Sequence, residues 1–129
     1  RTLHGMHVHG FPNCFIMSNS QAGFTANYPH LLGEQAQHIA YVIKAGIEKA
    51  VRKIEVSEKA EAGWVKECLE KARNVGDFLE NCTPGYYNNE GKTSEQSAQN
   101  GFYGGGSIAF FKILENWRAE GNLEGMELT

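Results

Sequence analysis

Pro29-His30-Leu31-Leu32-Gly33-Glu34-Gln35-Ala36-Gln37-His38-Ile39-Ala40-Tyr41-Val42-Ile43-Lys44-Ala45-Gly46-Ile47-Glu48-Lys49-Ala50-Val51 carries the plainest structural signal in the chain. Leu31, Leu32, Ala36, Ile39, Ala40, Ile43, Ile47, Ala50 and Val51 recur at spacings of three and four, so an amphipathic helix is predicted to about residue 54. Pro29 suits the first turn, where its missing N–H costs nothing, and leaves Asn27 or Tyr28 as the cap.

Downstream, Ser57 reads as the N-cap of a second helix, with Glu58 and Glu61 in the first turn where the helix dipole favours negative charge. This helix is predicted to about Val75 and carries Trp64, Val65, Cys68, Leu69 and Ala72 on one stripe. Gly63 inside it costs about 1 kcal/mol relative to alanine. The two helices are expected to pack as a hairpin. From Gly76 to Gly106 no periodicity survives, and a structureless segment of that length in a compact domain is usually functional. Ser107 is expected to cap a third helix from Ile108 to about Glu120, with Phe110, Phe111, Leu114 and Trp117 on one face and Gly121 as its left-handed stop. The alternation in Leu123-Glu124-Gly125-Met126-Glu127-Leu128 suits a short edge strand.

Upstream, Gly10-Phe11-Pro12-Asn13 is a turn signal, and Cys14-Phe15-Ile16-Met17 behind it is a short apolar run. Such a run reads as a strand buried on both faces, as in a parallel sheet. No other segment offers an equally good partner for it, so the strand stands alone. Residues 18–28 are small and polar and read as a loop. The fold class is therefore α+β and mainly helical: a helical hairpin plus a C-terminal helix, with short strands. The segments divide as 1–28, 29–76, 77–106 and 107–129.

With 129 residues, 41% hydrophobic and 21% charged, the chain has the make-up of one globular domain with a modest core. The net charge of −3 is spread in interleaved signs, which excludes an electrostatic footprint for nucleic acid or anionic lipid. The apolar runs are too short to span a bilayer. Three distant cysteines, Cys14, Cys68 and Cys82, argue for a reducing compartment, with the cytoplasm as default. The start at Arg1 is read as a mark of processing or trimming.

Several motifs invite chemistry. His4-x-x-His7-x-His9 would place His7 and His9 on one face of a strand, but a fourth metal ligand is missing, and the alternative is a polar lead-in. Gly104-Gly105-Gly106 before a helix resembles an anion-binding turn, yet it lacks both the GxGxxG order and the P-loop lysine, which favours a hinge or close-packing turn. Nothing local ties Cys82, His30, His38 and Asn27 into a thiol site. Tyr86 and Tyr87 can close over a flat ligand or anchor their loop in the core. Trp64 and Trp117 read as core.

Taken in order, Arg1-Thr2-Leu3-His4-Gly5-Met6, His9-Gly10-Phe11-Pro12-Asn13-Cys14-Phe15 and Glu34-Gln35-Ala36-Gln37-His38-Ile39-Ala40-Tyr41 resemble the C-terminal third of Baeyer-Villiger monooxygenases. Cys82-Thr83-Pro84-Gly85-Tyr86-Tyr87-Asn88-Asn89-Glu90-Gly91 and the run from Phe110 to Leu128 are similar to the closing region of one subgroup. The resemblance implies a fragment of an FAD- and NADP-binding α/β enzyme. The GFPN turn would lead into the last strand of the FAD sheet, and Asn27, Tyr28 and Pro29 would lie nearest the flavin. Ser18 and Asn19 stand where the family usually shows glycines.

Residues 82–92 match a mobile loop that folds over NADP and the substrate cavity, with Asn88, Gly91 and Lys92 in an Asn-x-x-Gly-Lys run. Thr83 stands where several members carry a cofactor-touching tryptophan, and Tyr86 or Tyr87 is the substitute at hand. The cofactor-side residues implied are thus Asn27, Tyr28, Pro29, Tyr86, Tyr87, Asn88 and Lys92, with no catalytic residue and no metal. The implied activity is oxygen insertion next to a ketone carbonyl, giving an ester or lactone. Because both glycine-rich dinucleotide turns are missing from this chain, the fragment by itself is expected to be inactive and to bind neither FAD nor NADP. The remainder of the parent enzyme is its expected partner, and the exposed strand edge at 14–17 predicts self-association. The rival readings are a free-standing helical interaction module and a metal-binding protein using the N-terminal histidines.

Overall fold

A computed structural model describes residues 1–73, 81–92 and 95–129. Helix α1 spans Tyr28–Glu48. The Asn27 carboxamide oxygen accepts the His30 N–H at 3.2 Å, satisfying a free donor of the first turn. The helix ends six residues earlier than the apolar spacing suggests. Ala50 takes a left-handed φ of 54°. The Val51 N–H then reaches back to Gly46 O at 3.1 Å and the Ala50 N–H to Ile47 O at 3.0 Å. This is a Schellman stop built on alanine instead of glycine, so no residue type announced it.

The chain released by that stop forms β1, Ile54–Val56, which pairs antiparallel with β2, Met126–Leu128. The ribbon bears out the expected tail strand and supplies a partner the sequence reading lacked. Asn13 extends it: its N–H donates to Ile54 O and its Oδ1 accepts the Ile54 N–H, both at 2.9 Å. The Gly10–Asn13 turn is therefore tied to β1, and Gly10 N–H also binds the Glu55 carboxylate at 2.8 Å. Cys14–Met17, by contrast, is not a buried strand. Only Phe15 bridges, to His7, while Cys14, Ile16 and Met17 are exposed. The bridging carbonyls and amides come from the turn of residues 3–7, which leaves no neighbour on the other side.

Helix α2 covers Glu58–Glu70, capped by the Ser57 hydroxyl on Ala60 N–H. It ends at Glu70 with Lys71 as its C-cap, short of the expected end near Val75, and residues 74–80 and 93–94 lie outside the described residues. The segment after it is less irregular than its composition suggests: Tyr86–Gly91 forms a 3-10 helix and Glu95–Asn100 a short helix, α3. Helix α4 spans Ser107–Glu120, with Gly106 and not Ser107 at the cap and Gly121 at φ 70° as the left-handed stop. Strand β1 lies in the chain between the two helices of the expected hairpin. α1 packs on α4 and α2 on α3, because the β1 strand carries the chain away between the first two helices. The N-terminal segment fills the resulting space.

Leu3, Met6, Leu31, Trp64, Cys68, Tyr103, Phe110 and Leu114 form the main buried cluster, and each large apolar side chain there stabilises by about 1.5–3 kcal/mol. The buried stripe of α1 is Leu31, Gln35, His38, Val42 and Gly46, while Ile47 is 73% exposed. The inward face is thus rotated from the apolar one. No helix among the described residues is long and apolar enough to cross a membrane.

Candidate functional site

Loop 18–27 is fastened from below and open above. Gln35 Nε2 donates to Ser18 O at 2.8 Å, which explains why a glutamine occupies the buried face of α1. Gly5, at φ 74°, brings the N-terminal turn onto the loop so closely that a Cβ there would meet the Ala22 side chain and the Ser20 carbonyl at 2.8 and 2.9 Å. Beyond this anchored part, Asn27, Tyr28 and Pro29 are all exposed at the start of α1. Residues 18–29 contain no acidic side chain, and neither does the first turn of α1. That end of the helix therefore keeps its partial positive charge for an anionic ligand.

Phe24 and Phe102 stack beside this opening, with ring centroids 5.2 Å apart, and are 52% and 41% exposed. Two large rings left in water together are not core residues. They form an apolar face joining the loop to the segment before α4. The sequence reading missed both, although a lone phenylalanine inside a polar loop, without periodic partners, was the available signal.

Loop 82–92 is organised by Asn88. Its Oδ1 accepts the N–H of Gly85 at 2.7 Å and of Gly91 at 3.3 Å, while its Nδ2 donates to Thr83 O at 3.1 Å. Asn88 is buried by these contacts, and Lys92 is exposed. The side chains of Tyr86 and Tyr87 lie outside the described residues, and Asn27–Pro29 stand together at the start of α1.

His4 and His7 turn inward and meet His38, each at 5.7 Å between ring centroids, whereas His9 turns out and binds Val56 O through Nδ1 at 2.9 Å. The histidine motif is thus split between core and surface, and no three metal-ligating side chains among the described residues are set to hold an ion. Burial holds the imidazole of His4 down at about 3, that of His7 at about 4 and that of His38 at about 2, so all three are neutral at pH 7. The glycine triplet is a close-packing turn, since a Cβ on Gly104 would run into the Lys71 carbonyl. Trp64 and Trp117 are core, as expected.

No family model matches the chain. It is 52% identical over 128 residues to pentalenolactone D synthase of Streptomyces exfoliatus, covering 99% of this chain and 22% of that protein. It is 35% identical, over 98% of its length and 20% of the relative's, to a Baeyer-Villiger monooxygenase of Stachybotrys chlorohalonatus. Others carry the description FAD-binding monooxygenase. The chain belongs to the Baeyer-Villiger-type flavin monooxygenases, as part of their C-terminal region. In structure it superposes on a polycyclic ketone monooxygenase of Thermothelomyces thermophila with a TM-score of 0.84 at 34% identity, covering 99% of this chain and 21% of that one. It spans about a fifth of the length of the curated Baeyer-Villiger-type relatives it matches. The mainly helical architecture with two short strands is consistent with a fragment of the larger FAD- and NADP-binding fold.

The residues present fit a cofactor-side role. A loop without a carboxylate, an exposed helix start without an acidic residue and an exposed aromatic pair suit a flat, anionic group.

Proposed function

We propose that the longer protein carrying this chain is an FAD- and NADPH-dependent monooxygenase that inserts oxygen next to a ketone carbonyl. In net terms a ketone, O2, NADPH and a proton become an ester or lactone, NADP+ and water. The observation that carries this reading is the match of practically the whole chain, in sequence and in fold, to enzymes of that kind. FAD and NADPH, when bound, supply oxygen activation and reducing equivalents; this chain supplies placement.

Asn27, Tyr28 and Pro29 lie along the flavin at the acid-free start of α1. Loop 82–92 covers the nicotinamide cofactor, with Tyr86 and Tyr87 offering aromatic contact, Lys92 a positive charge and Asn88 the loop's shape. The Phe24–Phe102 pair adds an apolar wall that excludes water and suits a hydrocarbon substrate body.

The isolated 129 residues have no catalytic activity and bind neither cofactor. Exposed Phe11, Ile16 and Met17 mark the face on which the remainder of the parent packs, and they drive self-association without it. Three free cysteines agree with a reducing, cytoplasmic setting.

The test is made on the full-length protein. It should purify with bound FAD, oxidise NADPH in response to a cyclic ketone and place one atom of labelled O2 in the ester or lactone. Absence of flavin, or ketone recovered intact, overturns the reading. Ketone oxidation by the 129 residues alone contradicts the assignment of catalysis to the rest of the parent, and a sedimenting monomer contradicts self-association.

A further inference from the structure

Gln21 is 2% exposed, and each of its four polar atoms is committed to a different group. Its N–H donates to Gly101 O at 2.7 Å and its Nε2 to Gln99 O at 2.8 Å. Its Oε1 accepts the Thr2 hydroxyl at 2.6 Å, and its carbonyl accepts the Trp64 indole N–H at 3.0 Å. Two further bonds run alongside: Ser20 Oγ to Asn100 O at 2.9 Å and Tyr103 N–H to Ala22 O at 2.8 Å. Residues 20–22 and 99–103 are thus laced together over four bonds, while Thr2 and Trp64 fix the laced pair to the core.

The backbone of Gln21 sits at φ 53°, a region disfavoured for a residue with a Cβ, and such strain persists only where surroundings over-determine it. A glycine would hold this conformation without strain. The side chain is what requires glutamine: one acceptor toward the N-terminal turn and one donor toward Gln99 O, at the reach both partners need.

We propose that Gln21 is a positioning residue that couples the flavin-side loop to residues 99–103, downstream of loop 82–92, the lid of the reading above, so that order in residues 99–103 is transmitted to residues 18–24 and back. The functional meaning rests on the monooxygenase reading above. The coupling lets a cofactor bound under the lid set the loop beside the flavin without touching it, and the stacked Phe24–Phe102 pair, one ring from each segment, moves with it.

The experiment is hydrogen exchange by mass spectrometry on the full-length protein, comparing the parent with Gln21→Gly, which accepts the backbone angle but loses both side-chain bonds. Without nucleotide, exchange at Gly101–Tyr103 and at residues 18–24 is expected to rise about tenfold together, α4 and the β1–β2 ribbon staying at parent rates. With NADP+, both segments of the parent should be protected at one midpoint, while in the variant the midpoints separate and KM for NADPH rises more than kcat falls. Unchanged exchange at Gly101–Tyr103 in the variant overturns the coupling. If NADP+ protects neither segment of the parent but Gln21→Gly still loosens both, the coupling stands and the lid reading falls. Should Gln21→Gly not fold, Thr2→Val removes the anchor of the same side chain without touching 99–103. A rise of a few-fold in both segments supports the proposal, and a rise confined to residues 1–7 overturns it.

Discussion

The His4 and His38 rings meet edge to face at 5.7 Å, inside a cage that also holds the Trp64 and Trp117 rings, 4.9 and 4.8 Å from one or other imidazole. Two residues 34 positions apart thereby join the N-terminal turn, α1, α2 and α4. Both ring nitrogens of His38 and one each of His4 and His7 are buried without a hydrogen-bond partner among the described residues, and Arg118 adds repulsion toward a protonated His38.

This cage makes stability fall with acid. The three imidazoles have depressed folded values, about 3, 4 and 2, so below the unfolded value near 6.5 the unfolded chain takes up protons the folded one refuses. Stability is fully present above about 6.5 and declines by roughly 1.4 kcal/mol per pH unit for each histidine, down to the folded values. Urea denaturation at pH 7 and pH 5 should show that loss. Replacing His7 with Phe should flatten the slope by about one histidine's share, and an unchanged slope contradicts burial of neutral rings.

Gly104→Ala is expected to cost about 2–4 kcal/mol, because the new methyl meets the Lys71 backbone carbonyl, which cannot rotate away. Gly33→Ala, where a Cβ meets nothing within 4 Å, should be neutral or slightly stabilising. Thermal melts of the two variants give the comparison, and equal melting temperatures would refute the close approach.

Trp64→Phe removes the indole N–H from Gln21 O and weakens the 5.2 Å stack on Tyr103. A loss of about 1–3 kcal/mol is expected, since the carbonyl is left buried and unpaired. Denaturant titration with fluorescence from the remaining Trp117 measures it.

Thiol labelling should divide the cysteines. Cys14 and Cys82 are exposed, whereas burial pushes the Cys68 thiol up to about 12 and keeps it protonated. Under native conditions two thiols react quickly and the third only at the rate of unfolding; fast labelling of Cys68 would show that α2 is not seated as described.

Asn88→Ala leaves the Gly85 and Gly91 N–H groups without their acceptor. Global stability should change little, because none of the loop's described side chains belongs to either buried apolar cluster, but limited proteolysis should cut near residues 85–91 several times faster. Protection equal to the parent contradicts the organising role of Asn88.

Local chemistry, read from the residues alone, determined the caps at Ser57 and Gly121, narrowed the first cap to Asn27 or Tyr28, and gave the GFPN turn, the tail strand and the existence of the long helices. Each depends on groups within a few positions of one another, so residue type suffices. The family resemblance was legible for the same reason, in short contiguous motifs. Tertiary structure decided what depends on distant neighbours. Ala50 stops α1 because the β1–β2 ribbon needs the chain there, and Gln35 and His38 face inward while Ile47 faces water because Ser18 and His4 are waiting on that side. The apolar run at 14–17 forms only the Phe15–His7 bridge, since burial on both faces requires sheet partners that the described residues do not supply. Gln21 carried no sequence signal at all: its importance lies in four hydrogen bonds to residues 19 to 80 positions away, which only the folded chain brings within reach.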